Sequence, residues 1–524
     1  MTPGRTFKRA LVALGSLVTV LALALAGGGA WLWQDARVST VGEVTFDRKL
    51  AVPPLAESRV DEQGRRVFDL RMDEGEREFR PGRATPTWGF NGDYLGPTLR
   101  AKRGEKILVN VHNELSEAST VHWHGMHLPA RMDGGPHRMV PPRGQWSPSW
   151  KADQPAATLW YHPHPHGETE KHVQRGLAGM FILDDEKSGR AGLPNTYGVD
   201  DIPLIVQDVA FDGDSFDHGH RSMSGIGFLG DRTMVNGTPG PYQEVRDEAV
   251  RLRLLNASSA RGYAFGFDDG RDFALVGTDG GLLERPARLD RLKLSPGERA
   301  EIVLRMTPGE RTVLRSFPQR SGDFWQNRFS GGDDSFDVLQ LRAADTLRDS
   351  PGLPARLGEP GLPELPGGPG GSDGADGSGG SGGSGAVVER EFALRTSGIN
   401  GEAMAMDRID FAVTRGTTEV WTVTNNNGTP HNFHVHDVQF RVLSVNGREP
   451  PPELRGPKDT VSVPDGDTLR LALRFDGPAD PDTPYMYHCH LLFHEDRGMM
   501  GQFVVVEPGQ RAGRVPPAHP GDGH

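Results

Sequence analysis

A single cysteine stands among histidines near the C-terminal end of the chain. Cys489 is the only cysteine in 524 residues; it lies between His488 and His490, and His494 and Met499 follow at short spacing. A lone thiol cannot form an internal disulfide. Two imidazoles, one thiolate and a weakly bound methionine are the ligand set of blue-copper electron-transfer sites. The spacing therefore predicts redox chemistry at Cys489.

Histidines are concentrated in four short clusters, which hold eleven of the 19 histidines. Side chains alternate between the two faces of a strand, so His-x-His turns both imidazoles to one side, where they can serve one metal or a metal pair. Four such pairs converge on one site if the first and last domains abut, and eight imidazoles suit a three-copper cluster. The clusters are His122-Trp123-His124, His162-Pro163-His164-Pro165-His166, His431-Asn432-Phe433-His434-Val435-His436, and His488-Cys489-His490 with His494.

Composition predicts an all-β fold. The chain contains 69 glycines and 41 prolines, and short β-branched runs at 107–111, 252–255, 419–423 and 502–506 lie between these turn-forming residues. Short strands with frequent turns are typical of β-sandwiches. The net charge of −12 argues against the basic face that nucleic-acid binding requires. We therefore expect no nucleic-acid partner.

A weak threefold repeat indicates three domains. An Asn-Gly turn, a spacer and a strand ending in asparagine recur three times, although Asn-Gly turns also recur by chance in β proteins. The repeat predicts domains at 43–190, 200–347 and 387–508. The Gly/Pro/Ser-rich stretch 348–386 should be a mobile linker. Residues 509–524 should be a disordered tail, whose two histidines could bind metal only loosely. The repeated turns are Asn91-Gly92, Asn236-Gly237 and Asn400-Gly401, and the strand-ending residues are Asn113, Asn256 and Asn425.

Residues 1–42 contain an export signal or membrane anchor. Arg5, Lys8 and Arg9 precede an apolar run from Ala10 to about Trp33. Positive residues before an apolar segment are typical of export signals. The sequence 24–26 fits a cleavage site, yet the run is long enough to span a bilayer, which favours an uncleaved anchor. Either reading places the body of the protein outside the cytoplasm: periplasmic, secreted or anchored to the outer face of the membrane.

The four histidine motifs resemble those of the multicopper oxidases, in particular the three-domain bacterial group of laccases, copper-efflux oxidases and bilirubin oxidases. The resemblance covers essentially the whole chain after the export segment, and residues 252–257 and 278–283 add to it. It implies three cupredoxin-like Greek-key β-sandwich domains and four copper ions: one type 1, one type 2 and a type 3 pair. Every ligand position of the family pattern is filled.

The resemblance also implies a role for each residue. Asp133 and Glu495 match acids that the copper-efflux group uses near its three-copper cluster, so we expect them to orient ligands and deliver protons. The alternatives are a turn aspartate and a surface glutamate. The implied ligands are His431, Cys489, His494 and axial Met499 for type 1, His122 and His434 for type 2, and His124, His162, His164, His436, His488 and His490 for type 3.

The remaining histidines of the folded part are expected to lie near the ligands or at the surface rather than to bind copper; they are His112, His127, His137, His166 and His172. His166 is the least certain of these, because it lies within a cluster.

The electron donor is less well defined by the sequence. Thioethers select Cu(I), and the 350–386 stretch contains no methionine. Met404 and Met406 could still bind a substrate metal, although gap-filling in the core is the simpler role. Without a methionine-rich cover, the type 1 edge near His494 could be open to organic donors. We therefore expect a laccase-like enzyme that oxidises phenols or similar small organic reductants with O2.

Three alternatives remain open. A metal-ion oxidase, acting on cuprous or ferrous ions in copper tolerance, would share the same electron-transfer core. A copper-free structural envelope protein of the same fold would lack the complete ligand set. A copper store would lack a buried cluster bridged by a cysteine.

Overall fold

The prediction of an all-β protein with one apolar N-terminal helix is confirmed. The computed structural model describes residues 3–220, 224–320, 322–363, 387–395 and 398–515. Strands hold far more of these residues than helices do, and they are arranged in pairs of facing sheets. The helices are α1 (Pro3–Asp35), α2 (Thr169–Gln174), α3 (Glu186–Arg190), α4 (Phe324–Phe329) and α5 (Leu492–Asp496), and two 3₁₀ turns occupy Ala130–Met132 and Pro452–Leu454.

The N-terminal third contains eleven strands. Two sheets, β2-β3-β6-β8 with β4 and β9 at the side, and β5-β11-β10-β7, enclose a core that includes Phe68, Val109 and Leu159. The strands are β1 (Arg48–Lys49), β2 (Ser58–Val60), β3 (Arg65–Arg80), β4 (Arg83–Phe90), β5 (Leu99–Lys102), β6 (Lys106–Asn113), β7 (His122–His124), β8 (Gln145–Trp146), β9 (Ser149–Lys151), β10 (Ala157–His162) and β11 (Gly179–Asp184).

The middle third contains a seven-stranded sheet, β16-β15-β12-β18-β23-β20-β21, and a six-stranded sheet, β1-β17-β25-β24-β19-β22. β13 and β14 form a separate hairpin. The strands are β12 (Asp201–Val209), β13 (Phe211–Asp212), β14 (Ser215–Phe216), β15 (Arg232–Val235), β16 (Thr238–Pro239), β17 (Pro241–Asp247), β18 (Ala249–Asn256), β19 (Tyr263–Phe267), β20 (Phe273–Thr278), β21 (Gly281–Leu289), β22 (Leu292–Leu294), β23 (Arg299–Arg305), β24 (Arg311–Ser316) and β25 (Phe336–Arg348).

The C-terminal third contains two five-stranded sheets, β27-β26-β29-β33-β31 and β28-β35-β34-β30-β32, packed around Trp421. Trp421 is fully buried, and its indole Nε1 donates to Glu419. The strands are β26 (Val388–Arg395), β27 (Gly398–Ile399), β28 (Phe411–Thr414), β29 (Thr418–Asn425), β30 (His431–Val435), β31 (Phe440–Val445), β32 (Thr460–Val463), β33 (Thr468–Arg474), β34 (Asp480–His488) and β35 (Met500–Val506).

The three Asn-Gly turns have one common structure. Asn91, Asn236 and Asn400 all adopt positive φ, between 51 and 57°. Asparagine tolerates this left-handed conformation better than other side chains do, which explains the residue type. Each side chain also accepts a backbone N–H from a neighbouring strand segment and donates to a carbonyl two residues earlier in that segment. Chance recurrence of Asn-Gly would not reproduce these partners.

Two segments lie elsewhere than their predicted domain suggests. Residues 43–50 were assigned to the first domain, but β1 pairs in parallel with β17 of the middle third. The first part of the expected mobile linker is also packed: Leu357 is buried in the middle-third core and its N–H donates to Glu284. One leucine among the prolines is enough to anchor this stretch. The rest of the linker, 364–386, and the tail beyond 515 lie outside the described residues.

Candidate metal centre

One group of side chains surrounds Cys489. The Nδ1 atoms of His431 and His494 each lie 3.6 Å from the Cys489 sulfur and 3.1 Å from each other. Cys489 follows the last residue of β34, His431 begins β30, and His494 lies on α5. All three side chains are buried. Two imidazole nitrogens and one sulfur therefore face a common point.

Met499 is fixed next to this group by its backbone. Its carbonyl accepts the N–H of Cys489, and its own N–H donates to the carbonyl of His494. The methionine is fully buried and packs in the same apolar cluster as Cys489. The loop after α5 thus closes over the cysteine with a thioether side chain.

Eight further imidazoles form a second group between the first and last thirds of the chain. In the N-terminal sheet, His122 of β7 is paired with His162 of β10. In the C-terminal sheet, His434 of β30 is paired with His488 of β34. These two strand pairs face each other. The group consists of His122, His124, His162, His164, His434, His436, His488 and His490, all buried.

Ring nitrogens in this group approach one another without a proton donor that would satisfy them all. The Nε2 atoms of His164 and His436 lie 3.2 and 3.3 Å from Nε2 of His488. Nε2 of His122 and Nε2 of His434 are buried and have no hydrogen-bond partner in the described part of the chain. Buried polar atoms are normally satisfied, so such a collection requires a further partner.

Burial favours the neutral form of several imidazoles in the two groups. It lowers the pKa of His164 and of His490 to about 3, and it lowers the pKa of His431 to about 2 and of His494 to about 4. Burial also raises the pKa of the Cys489 thiol to about 12. Neutral imidazoles offer lone pairs to a metal, and metal binding displaces the thiol proton.

The outward-facing nitrogens of three rings in the eight-imidazole group lie next to acceptors. Nδ1 of His122 lies 3.0 Å from the Asp133 carbonyl, and Nδ1 of His436 lies 2.7 Å from the Asp133 carboxylate. Nδ1 of His434 lies 2.9 Å from the carbonyl of Asp459. This arrangement fixes which nitrogen of each ring turns inward, as is usual for metal-binding histidines.

Glu495 lies behind two other rings of the group. Its carboxylate oxygens lie 3.3 Å from Nδ1 of His164 and 3.2 Å from Nδ1 of His488. Burial opposes ionisation of Glu495, but the neighbouring imidazoles of His164 and His488 outweigh it and hold its pKa well below the usual range. Asp133 and Glu495 are both buried, so neither is a surface residue.

The side chains fit a metal better than any protein partner. Inward-facing unsatisfied nitrogens, neutral imidazoles and one buried thiol are the donors that copper and zinc prefer. Within the described residues, groups of buried donor atoms close enough for one ion include His431, Cys489 and His494; His122, His434 and His436; and His164, His436 and His488.

The expected opening near His494 is wrong. His494 is fully buried, and its Nε2 lies 2.9 Å from the carbonyl of Gly225 in a loop of the middle third. A cavity of about 220 Å³ lies instead beside His431, and its lining includes the apolar side chains of Ile226, Leu454 and Leu491. Access to the cysteine group is therefore from the His431 side.

The five histidines that the sequence assigned to supporting or surface positions lie outside both groups. Nδ1 of His172 bonds to the Ser119 hydroxyl, and Nε2 of His137 bonds to Gln502. His166 is exposed, His112 is half-buried, and His127 accepts no partner at its buried Nε2 among the described residues. His519 and His524 lie outside the described residues.

Met404 lies close to the loop after α5 that carries Met499. Its N–H donates to the carbonyl of Gly498, the residue before Met499. Met406 is half-buried, and its carbonyl accepts from Gln502. The backbone thus places the 404–406 segment beside the loop that carries Met499.

Three important residues were not singled out from the sequence. Asn432 Oδ1 accepts the N–H of His490 and contacts the sulfur of Cys489. Asp459 contacts Nε2 of His124 at 3.1 Å and forms a two-bond ion pair with Arg299. Two signals were available in the sequence. Asn432 is a polar residue within the ligand strand β30, and the charged pair Lys458-Asp459 precedes strand β32.

Comparison with known proteins agrees with this arrangement. Family models described as multicopper oxidase match residues 71–188 and 384–509. A multicopper oxidase of Staphylococcus haemolyticus is 32% identical over 87% of this chain and 92% of its own. The cell division protein FtsP of Edwardsiella tarda is 38% identical over 93% of this chain and 97% of its own.

A solved structure extends the similarity to the fold. The bacterial laccase-like multicopper oxidase CueO of Ochrobactrum sp. shares 35% identity and a TM-score of 0.76, covering 87% of this chain and all (100%) of that chain. It is described as having oxidase activity towards lignin model compounds and lignosulfonate. The predicted cupredoxin-like architecture is thereby confirmed. The chain belongs to the multicopper oxidase family.

Proposed function

We propose that the protein oxidises phenols or similar small organic donors, one electron at a time, and reduces O2 to water. The observation that carries this proposal is the position of Cys489. Its sulfur faces His431 and His494, while its sequence neighbours His488 and His490 belong to the eight-imidazole group. One residue thus joins an electron-collecting group to an oxygen-reducing group through a short covalent path.

The proposed ligands follow from this geometry together with the family pattern. His431, Cys489, His494 and Met499 would hold the type 1 copper. In the eight-imidazole group, His122 and His434 would hold the type 2 copper and the other six histidines the type 3 pair. When bound, the coppers would supply the one-electron redox chemistry by which four electrons and four protons convert one O2 to two waters. Four phenol oxidations release those four electrons and four protons.

The protein side chains orient the ligands and manage protons. Asp133 holds His122 through its carbonyl and His436 through its carboxylate, so one turn fixes ligands from two domains. Glu495 is a buried carboxylate beside His164 and His488, where it orients both rings and can relay protons. Asn432 holds the Cys489 side chain and the His490 backbone in place, because its Oδ1 contacts both.

The cavity beside His431 supports an organic donor rather than a cuprous ion. About half of its lining residues are apolar, and no methionine is among the described residues that line it. Cuprous ions select thioethers, whereas phenols bind in apolar pockets with a few polar groups. Met404 and Met406 do not line this cavity, so a cuprous oxidase would have to bind its ion elsewhere.

A second candidate is a cell-envelope role in division, as the name of the Edwardsiella relative suggests. Its 38% identity favours this candidate. The complete set of buried donors favours the oxidase, because a purely structural protein has no need of two converging groups of inward-facing nitrogens. The apolar helix α1 supports a location outside the cytoplasm for either function.

Colour and spin test the oxidase proposal. The copper-loaded protein should be intensely blue and should give narrow and normal cupric signals in equal amounts. Cys489→Ser should lose the blue colour and all donor oxidation while the eight-imidazole group stays loaded. A colourless protein that binds copper reversibly, or a Cys489→Ser variant with full activity, would overturn the assignment.

A donor comparison then separates the substrate classes. Turnover is measured under air with a phenol and with Cu(I), in the presence and absence of a copper chelator. We expect phenol turnover without added copper. Phenol turnover that appears only with free copper would favour the metal-ion oxidase, and a blue protein that oxidises neither would favour the envelope role.

A further inference from the structure

Aromatic side chains surround the point where helix α1 meets the body of the protein. The ring of Trp33, on the last turns of α1, stacks on Phe324 with centroids 4.6 Å apart. The same ring meets Trp325 edge-on at 5.1 Å. Arg328 donates to the Trp33 carbonyl and its guanidinium lies 4.9 Å from the indole. The end of α1 is therefore attached to α4.

These aromatic side chains are unusually exposed. Trp31, Phe324 and Trp325 expose 63, 70 and 63% of their surface. Outside α1, the described part of the chain has no other aromatic side chain among its exposed large hydrophobic residues. Asp323 caps α4 by accepting the N–H groups of Trp325 and Gln326, which fixes the start of the helix that carries Phe324 and Trp325. Exposed apolar patches of this kind mark contact surfaces.

We propose that Trp31, Trp33, Phe324 and Trp325 form a membrane-contact surface that rests on the outer leaflet of the bilayer spanned by an uncleaved α1. The apolar part of α1 covers the 23 residues Ala13–Asp35, none of them buried against the body in its most apolar stretch. At about 1.5 Å per residue this length matches a hydrocarbon core of about 30 Å. Tryptophans concentrate where such a helix leaves the bilayer.

The geometry sets the depth of α4. Because Trp33 contacts both Phe324 and Trp325, these rings lie at the same level as the end of the span. Aromatic side chains at that level gain from burying their rings among lipid headgroups while their polar edges stay hydrated. The bilayer is thus the one occupant that explains why the helix end and the exposed loop share a single aromatic patch.

The residues that flank α4 also border the cavity beside His431. Gln319, Arg320 and Ser330, which flank α4, line the cavity beside His431. A six-residue helix is only about 9 Å long, so the cavity lies close to the proposed membrane surface. Together with the proposed function, on which this step rests, the placement favours lipid-soluble phenolic donors that collect at the bilayer interface.

Depth-dependent quenching tests the surface independently of copper and activity. The full-length chain is placed in phosphatidylcholine–phosphatidylglycerol vesicles that carry a doxyl quencher near the headgroup. A fluorophore is attached at Phe324→Cys and, as a matched control, at Val60→Cys on β2, whose native side chain is 65% exposed. The buried Cys489 is the only native thiol, and the parent chain gives its background.

We expect strong quenching at position 324 and little at position 60. Equal quenching at the two positions would overturn the proposal, as would an intact mass showing that the mature chain begins after Ala26. Catalysis gives the second measurement. Phe324→Ser/Trp325→Ser should lower turnover of a long-chain alkyl phenol in vesicles several-fold and leave turnover of a water-soluble phenol unchanged. If the variant loses the same fraction of turnover with both donors, or none with either, the donor inference is wrong. The membrane-contact surface is then judged by the quenching result alone.

Discussion

The carboxylate of Asp133 lies 2.7 Å from Nδ1 of His436, across the contact between the first and last thirds of the chain. The same residue accepts His122 Nδ1 at its carbonyl. His122 and His436 stack with ring centroids 3.9 Å apart. One aspartate in a turn thus aligns two parallel imidazoles from different domains. The other carboxylate oxygen, Oδ1, is buried and lies 3.4 Å from Nδ1 of His122.

Asp133→Asn should therefore slow O2 reduction while leaving electron uptake at Cys489 intact. Asparagine keeps the shape and the backbone contact to His122, but it replaces one of the two carboxylate oxygens beside His122 and His436 with an NH2 group. Loss of such an outer partner typically costs about 10–100-fold in activity or metal affinity. Stopped-flow reoxidation of the fully reduced protein by O2, followed at the blue band, measures the effect.

Asp153→Asn provides the control for this prediction, since Asp153 is an exposed aspartate of the same domain paired only with surface lysine and arginine. It should reoxidise at the parental rate. A parental rate in Asp133→Asn as well would show that Asp133 is only a turn residue.

Glu495→Gln should weaken the eight-imidazole group more than Asp133→Asn does. The glutamate faces Nδ1 atoms of both His164 and His488, and a carboxylate can accept from both. A glutamine amide has one accepting oxygen, and its NH2 group would face one of the two ring N–H donors. We expect partial loss of cluster copper, measured by metal analysis and by the normal cupric signal, with the blue band retained. Full copper content with a parental O2 rate would contradict the assigned role.

The ligand residues could be predicted because their types and spacing follow from short stretches of sequence. His-x-His on a strand and His-Cys-His at a strand end fix directions that the fold only has to bring together. The repeat could also be recognised, since Asn91, Asn236 and Asn400 need a residue type that tolerates positive φ. These features depend on neighbours in sequence.

The supporting residues could not be predicted in the same way. Asp459 contacts His124, which lies 335 positions earlier in the chain. Arg299, in the middle third, pairs with the same aspartate. Such pairings depend on how whole domains pack, which no local pattern reports. The covering of His494 by Gly225 has the same origin: a loop of one domain closes over a ligand of another.

Acid should destabilise the copper-free chain partly through His172. Burial, followed by the charges of Lys171 and Arg175, lowers the pKa of His172 to about 3. The unfolded chain binds this proton below about pH 6.5, so it holds more protons than the folded chain between about pH 6.5 and 3. The free energy of unfolding therefore falls as pH falls through that window, by up to about 1.4 kcal/mol per pH unit for this group.

His172→Asn should reduce that slope, whatever it does to stability at neutral pH. Asparagine can still bond the Ser119 hydroxyl but does not titrate. Urea unfolding of the copper-free protein at several pH values between about 7 and 5 gives the slopes for parent and variant. His112→Asn, at a half-buried position on β6, is the matched control. Identical slopes in the parent and His172→Asn would show that His172 does not contribute.

Arg299 should be the most sensitive single position in the domain contacts. It is fully buried, pairs through both terminal nitrogens with Asp459 at 2.6 Å, and donates to the Thr158 carbonyl of the first domain. Arg299→Met removes the guanidinium partner of the fully buried Asp459 carboxylate. Breaking a buried ion pair from one side costs about 3–5 kcal/mol. Asp459 also contacts His124, so copper binding to the eight-imidazole group should weaken as well.

A surface pair tests whether burial is the cause. Arg415 and Glu507 form an ion pair at 3.0 Å with both side chains about half exposed. Arg415→Met should change the free energy of unfolding by less than about 1 kcal/mol, because water replaces the lost partner. Arg299→Lys should fall between the two, since lysine keeps the charge but cannot form both bonds to the carboxylate. Urea unfolding of the copper-free variants ranks them. Arg299→Met unfolding no more easily than Arg415→Met would show that the domains are held together elsewhere.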